Sequence, residues 1–132
     1  MWTDLLIDNK AVKAIYGNNN EPDLSDVEMQ KISIGQYGLY LELSGFNLPN
    51  PLPKRWAERG WTNGCCALHF YNKKETSIYR RANLNICQYK HMSIHIKGEP
   101  NGKKSVIITD QHGNCYLEIE ADFVSINKIG GC

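Results

Sequence analysis

Cysteine and histidine are the residues of this sequence whose side chains could do chemistry, and their spacing decides whether they can. Cys65 and His69 stand four positions apart in a segment where apolar and polar residues alternate. If that segment is a strand, a rise of about 3.3 Å per residue separates their Cα atoms by about 13 Å, too far for a nucleophile to hydrogen-bond to its base. We therefore expect no cysteine hydrolase on this pair.

Metal binding needs closer ligand pairs than the sequence provides. Zinc sites are recognised by spacings such as C-x2-C or H-x3-H on a helix or knuckle. Cys65 and Cys66 would point to opposite faces of a strand, and His91 and His95 would be strand residues too far apart to bind one ion. We predict no metal and no other cofactor. The five cysteines are odd in number, which indicates free thiols in a reducing compartment.

Closely spaced carboxylates are a further set with possible chemistry. Glu118, Glu120 and Asp122 occupy alternate positions, and glycoside hydrolysis uses a pair of such groups. Acids at alternate positions are, however, typical of the solvated face of a strand. The sequence also contains none of the patterns G-x-x-x-x-G-K-[ST], G-x-G-x-x-G and G-x-S-x-G. We therefore predict that the chain is not an enzyme.

Tyrosines beside acids indicate a binding surface instead. In two segments a tyrosine and its acidic neighbours fill the polar positions of an alternating pattern, so they would project from the outer face of a sheet. Tyrosine is favoured at protein–protein hot spots. The residues predicted to bind a partner are Tyr40, Glu42, Tyr116, Glu118 and Glu120. An ordinary exposed sheet face is the alternative.

The elements that position these residues are mainly strands. The first 17 residues carry the only helical pattern, with Asn9 as N-cap, a helix over Lys10–Tyr16 and Gly17 as its end. From Asp26 onward the apolar period switches to two, with Gly- and Asn-rich turns between segments. We predict one domain over residues 1–132: an antiparallel β-sandwich or partly open barrel of seven to eight short strands after a short N-terminal helix.

Two local features refine this pattern. The alternation slips near Lys31, which predicts a β-bulge, and it is least regular over Glu75–Gln88, where Ile78, Leu84 and Ile86 could supply one or two short strands. Three prolines at alternate positions precede Trp56. Proline cannot donate to a sheet, so this segment predicts an ordered crossover without hydrogen bonds, leading to another part of the sheet, with a buried tryptophan.

Charge and hydropathy exclude several classes of partner. Lys and Arg total 15 and Asp and Glu total 14, with no basic stripe, so we expect no nucleic-acid binding. No apolar run approaches the roughly 20 residues that span a bilayer, so we expect no membrane partner. The N-terminal segment carries acids where a secretory signal carries basic residues, which predicts a cytosolic protein.

Several motifs together resemble the immunity protein 50 family of bacterial polymorphic toxin systems. The resemblance extends from about Tyr16 to Ile129 and is most specific at the Pro22–Glu28 opening and the proline run to Trp56. The remaining matches are Tyr16-Gly17, Ile32-Ser33-Ile34, the strand with alternating leucines, Asn63 before Leu68-x-Phe70, and the closing strands around Leu117 and Ile129. Where the family pattern has a Gly-Trp turn, this chain has Arg80-Arg81-Ala82-Asn83.

The resemblance implies a small cytosolic all-β protein that binds and neutralises the C-terminal domain of a cognate toxin. It implies no catalytic residues and assigns no toxin contacts, oligomeric state or toxin activity. The alternative is a β-sandwich that binds a small ligand or carbohydrate through Trp61 and the tyrosines. A sugar binder should display a row of exposed aromatic rings on a concave face, whereas an immunity protein can present a flat, mixed face.

Overall fold

A computed structural model of the chain describes residues 1–81 and 89–132. Within these residues the chain forms eight strands and two short α-helices, after a 3₁₀ turn at Trp2–Leu5. The helices are α1 (Lys10–Tyr16) and α2 (Lys54–Glu58). The strands are β1 (Glu28–Gly35), β2 (Gly38–Phe46), β3 (Gly64–Tyr71), β4 (Ile78–Arg81), β5 (Ser93–Gly98), β6 (Lys104–Thr109), β7 (Cys115–Ala121) and β8 (Phe123–Gly131). No helix in the described ranges combines the length and apolar character needed to cross a membrane.

The strands form two antiparallel sheets that share one core. Sheet A has the order β1-β2-β3-β8, and sheet B has the order β4-β7-β6-β5. Alternate residues of each sheet point into the core, including Leu41 and Leu68 from sheet A and Ile108 and Leu117 from sheet B, each at most 1% exposed. The predicted mainly β sandwich is confirmed, because the strands described here form two separate sheets rather than a closed barrel.

The local predictions near the N-terminus are confirmed with one correction. Helix α1 has the predicted bounds, and Gly17 ends it at a φ of 85°, in the left-handed region that favours glycine. Asn9 stands at the N-cap position, but its side chain does not cap the helix. The carboxylate of Asp8 accepts the N–H of Lys10 instead, at 3.0 Å. An acid one position earlier therefore takes over the capping role.

The predictions for the irregular segments are tested in part. The register of β1 against β2 shifts between Met29 and Lys31, as a bulge there requires. Ile78 begins β4, so one of the predicted short strands is present. The predictions for Leu84 and Ile86 fall on residues 82–88, outside the described part of the chain.

The proline-rich crossover differs from the prediction in two respects. It connects β2 to β3, which are neighbours in sheet A, so it returns to the same part of the sheet. Its second half is helix α2, in which the N–H groups of Trp56 and Ala57 donate to the carbonyl oxygen of Pro53 at 3.0 and 3.1 Å. Proline lacks a donor but keeps its carbonyl acceptor, so it can precede a helix. The burial of Trp56, which is 6% exposed, is confirmed.

The side chain of Tyr16 connects α1 to the crossover, and its ionisation should lower the stability of the fold at alkaline pH. Its hydroxyl donates to the carbonyl oxygen of Asn47 at 2.7 Å. Burial, and to a lesser extent the thiols of Cys66 and Cys65, raises the pKa of Tyr16 above its ordinary value. The folded state therefore holds the phenolic proton more tightly than the unfolded state. This contribution is fully present below the unfolded pKa of about 10 and is lost as the pH rises further.

We expect the melting temperature to fall more steeply above pH 10 for the natural chain than for the Tyr16→Phe variant, which has no proton to lose at this position. At neutral pH the same substitution should lower the free energy of unfolding by about 1 kcal/mol, because the Asn47 carbonyl oxygen loses its hydrogen-bond donor. Thermal unfolding between pH 8 and pH 11 measures both effects. Parallel pH profiles for the two proteins would show that Tyr16 does not carry the alkaline sensitivity.

Candidate functional surface

The five predicted binding residues lie on two different sheets. Tyr40 and Glu42 are in β2 of sheet A, and Tyr116, Glu118 and Glu120 are in β7 of sheet B. Both groups alternate with core residues and so belong to the outer faces of their sheets. Because these faces are on opposite sides of the sandwich, the five residues do not form one patch. Their part in binding stays a prediction, now to be tested separately for each face.

Tyr116 is buried, contrary to the interpretation of it as a solvent-facing residue. It is 9% exposed, its ring meets the ring of Tyr89 edge-on at 5.9 Å, and the two hydroxyl oxygens are 3.3 Å apart. Burial and the hydrogen bond with Tyr89 raise the pKa of Tyr116. The alternation of apolar and polar residues in the sequence correctly predicted that Tyr116 lies on the outer side of β7. It could not predict that Tyr89, which is 27 residues earlier, packs against the Tyr116 ring.

Tyr79 is the exposed tyrosine of sheet B. It lies in β4, is 59% exposed, and shares the outer face with Glu118 and Glu120. Partial desolvation, the negative charge of Glu120 and a hydrogen bond to that carboxylate raise the pKa of Tyr79. The outer face of sheet B therefore carries an exposed tyrosine beside two acids, as predicted, but that tyrosine is Tyr79 rather than Tyr116. The irregular alternation around Tyr79 hid its orientation in the sequence.

The outer face of sheet A carries a continuous row of rings, which we call the aromatic row: Tyr40, His69, Tyr71 and Phe123. Ring centres are 6.4 Å apart from Tyr40 to His69, 5.0 Å from His69 to Tyr71, and 5.2 Å from Tyr71 to Phe123. Tyr40 is opposite His69 in the β2–β3 register, and Tyr71 is opposite Phe123 in the β3–β8 register. His69 is exposed and the other three rings are half-buried.

Lysines stand at both ends of the aromatic row. The ammonium nitrogen of Lys31 is 5.9 Å from the centre of the Tyr40 ring, and that of Lys73 is 5.6 Å from the centre of the Phe123 ring. Both distances are within the range in which a cation is attracted to the face of a ring. In residues 1–81 and 89–132, neither lysine forms an ion pair with a carboxylate. The row thus combines apolar rings with available positive charge.

A cleft of about 520 Å³ opens beside the row at the β1–β2 turn. Its lining includes Gly35, Gly38 and the rings of Tyr37, Tyr40 and Tyr71. Tyr37 is 52% exposed. The cleft has room for a partner's side chain or for a sugar ring, with hydroxyl groups around its wall.

The opposite end of the same face is polar. The hydroxyl of Tyr40 donates to the Glu42 carboxylate at 2.9 Å, and the Lys128 ammonium lies 3.6 Å from the same carboxylate. Beyond this pair is a second cleft of about 540 Å³, whose lining includes Cys65 and Cys132. Sheet A therefore presents a mixed face, aromatic at one end and charged at the other.

Strand β3 carries two of the described thiols, Cys65 and Cys66. Burial raises the pKa of the Cys66 thiol to about 12, which keeps it protonated at neutral pH. Cys65 and His69 are four residues apart on strand β3, which places their Cα atoms about 13 Å apart. In the part of the chain that the structure describes, no three or more His, Cys, Asp or Glu side chains converge as metal ligands do.

Comparisons with known proteins add no relative to this picture. No protein-family model matches the chain, and neither a curated protein nor a solved structure matches it.

Proposed function

We propose that the chain is a cytosolic immunity protein that binds the C-terminal domain of a cognate toxin and neutralises it by stoichiometric occlusion, without catalysis. The outer face of sheet A is the docking surface in this proposal. The observation that carries it is the aromatic row, in which four neighbouring rings from three strands stand at least partly open to solvent.

The row has the composition of an interface centre. Tyrosine and phenylalanine are enriched there, and a few such anchors supply most of the binding free energy. The rings belong to residues of β2, β3 and β8, and β2 and β3 each pair with strands on both sides. Because side chains on a rigid sheet are already ordered, less entropy is lost when a partner binds. The outer face of sheet B offers Tyr79 and two carboxylates, so it has fewer apolar anchors.

The type of partner follows from the resemblance to the immunity protein 50 family. A protein of that kind blocks its toxin by covering the active site or a surface that the toxin needs. The flanking Lys31 and Lys73, together with the Glu42–Lys128 pair, would give the face charges with which to select its own toxin. Some inhibitors of nucleases imitate nucleic-acid phosphates with a cluster of acidic side chains. The outer face of sheet A does not support that mode of binding, because its acid Glu42 is paired with Lys128.

Co-expression tests the proposed function. A toxin domain encoded next to this gene is expressed alone, with this chain, and with an unrelated β-protein of similar size as control. We expect growth arrest to be relieved only by this chain, and the two proteins to co-purify in fixed stoichiometry. Continued growth arrest with no complex would refute the immunity function.

A carbohydrate-binding role is the second candidate, because a row of aromatic rings is also what a sugar platform presents. Two observations weaken it. Trp61, assigned to the sugar in that alternative, packs edge-on against Trp56 at 5.4 Å and lies outside the row. The His69 and Tyr71 rings are tilted by 40° to each other, so the row is not a flat platform. Saturable NMR shifts of row residues with a panel of oligosaccharides would favour this candidate over the first.

A further inference from the structure

Two thiols project to the same side at the polar end of sheet A. Gly64 pairs with Gly131 and Cys65 pairs with Gly130, which places Cys132 opposite Asn63. The backbones of Asn63 and Cys132 exchange hydrogen bonds of 2.8 and 3.3 Å, so the ladder continues to that pair. Because residues two apart on a strand share a face, Cys65 and Cys132 are diagonal neighbours on the outer face.

The two side chains share the same surroundings. The Cys132 sulfur lies 3.4 Å from the amide oxygen of Asn63, a residue that shares the outer face with Cys65. Both thiols line the 540 Å³ cleft. The other two described cysteines are placed differently, since Cys66 points into the core and Cys115 is in sheet B.

We propose that Cys65 and Cys132 are an oxidisable dithiol, which closes into a disulfide when the protein meets a two-electron oxidant such as hydrogen peroxide. The bond would tie the end of β8 to the start of β3 across the cleft. This inference is independent of the proposed function, because it rests on the placement of the two thiols alone.

The chemistry balances with peroxide as the oxidant. One of the two thiols loses its proton and its sulfur attacks one peroxide oxygen, which breaks the O–O bond and gives a sulfenic acid and one water. The sulfur of the other thiol then displaces hydroxide from that sulfenic acid, and the proton it releases converts the hydroxide to a second water. The two sulfurs together lose two electrons, which the peroxide gains.

The geometry requires a small movement. Diagonal neighbours on adjacent strands have Cα atoms about 7–8 Å apart, whereas the Cα atoms of a disulfide are usually about 4.4–6.8 Å apart. Cys132 follows the last residue of β8 and is exposed, so its backbone can shift toward Cys65 without disturbing the core. A vicinal bond between Cys65 and Cys66 is disfavoured, because consecutive strand residues project to opposite faces.

Peptide mapping of the oxidised full-length chain tests the proposal. The protein is treated with hydrogen peroxide at low protein concentration, alkylated, and digested with trypsin without reduction. We expect a disulfide between the peptide of residues 60–73 and the peptide of residues 129–132. The linked pair should be lost in Cys65→Ser and in Cys132→Ser, and kept in the controls Cys66→Ala and Cys115→Ser. Circular dichroism verifies that each variant is folded.

Three results would overturn the proposal. One is a linked pair that survives in Cys65→Ser but is lost in Cys66→Ala. Another is a link formed equally well after unfolding in guanidinium, which would show that the fold does not bring the thiols together. The third is intact free thiols, or only intermolecular disulfides and over-oxidised cysteine, in the folded protein after treatment.

Discussion

Replacing Trp56 with alanine is expected to lower the free energy of unfolding by about 3–5 kcal/mol, as for other buried aromatic residues. Its side chain is 6% exposed and meets Trp61 edge-on, with ring centres 5.4 Å apart. The Arg59 guanidinium covers the Trp61 ring at 5.3 Å from its centre. Trp56 thus anchors helix α2 in a small cluster of its own, and its loss would leave a cavity beneath the crossover.

Urea unfolding of Trp56→Ala measures this loss, with Leu52→Ala as the matched control. Leu52 is in the same crossover but is 39% exposed, so its truncation should cost less than about 1 kcal/mol. We expect any effect of Trp56→Ala on partner binding to disappear when only the folded fraction is counted. A stable, folded Trp56→Ala protein that had lost its partner would place this residue in the interface instead.

Gly64→Ala is expected to lower the free energy of unfolding by about 3 kcal/mol, which is at the upper end of the losses caused by adding a methyl group to a packed core. Gly64 begins β3 and is opposite Phe46 of β2, where the aromatic ring lies across the glycine. A Cβ at position 64 would overlap the Phe46 ring, which is 2% exposed and closely packed. The ring has to move for the methyl group to fit, which strains the end of the β2–β3 pair.

Gly35→Ala is the matched control for this substitution. Gly35 is also a strand glycine of sheet A, and a Cβ there would meet only the Gly38 carbonyl oxygen, at 3.9 Å. Its stability should change by less than about 1 kcal/mol. Urea midpoints compare the two variants. Equal losses would mean that glycine backbone freedom matters at both positions, rather than overlap with Phe46 at one.

Periodic burial explains why much of the fold could be predicted. Leu39, Leu41 and Leu43 alternate with polar residues because one face of β2 is buried in the core and the other is not. The bounds of α1 and the burial of Trp56 follow from similarly local signals. The hydrogen bonds of α2 were not predicted from the sequence. The prediction considered only that proline lacks an N–H donor, whereas the carbonyl oxygen of Pro53 accepts the hydrogen bonds that begin the helix.

The candidate surface was only partly predictable because it depends on strand neighbours. Tyr40 and Glu42 were assigned correctly to an outer face, but His69, Tyr71 and Phe123 join Tyr40 only through the pairing of β2, β3 and β8. Residues 71 and 123 are far apart in the sequence, and no local pattern encodes that register. The covering of Tyr116 by Tyr89 is nonlocal in the same way.

The affinity of the purified toxin domain for variants of each face tests most directly whether sheet A is the docking surface. Tyr71→Ala removes a ring from the aromatic row, and Tyr79→Ala removes the exposed tyrosine of sheet B. We predict that Tyr71→Ala weakens binding by about 30-fold, the 2 kcal/mol typical of a hot spot, while Tyr79→Ala leaves it within about threefold. Weakening by Tyr79→Ala with unchanged affinity for Tyr71→Ala, in folded proteins of equal stability, would contradict docking on sheet A.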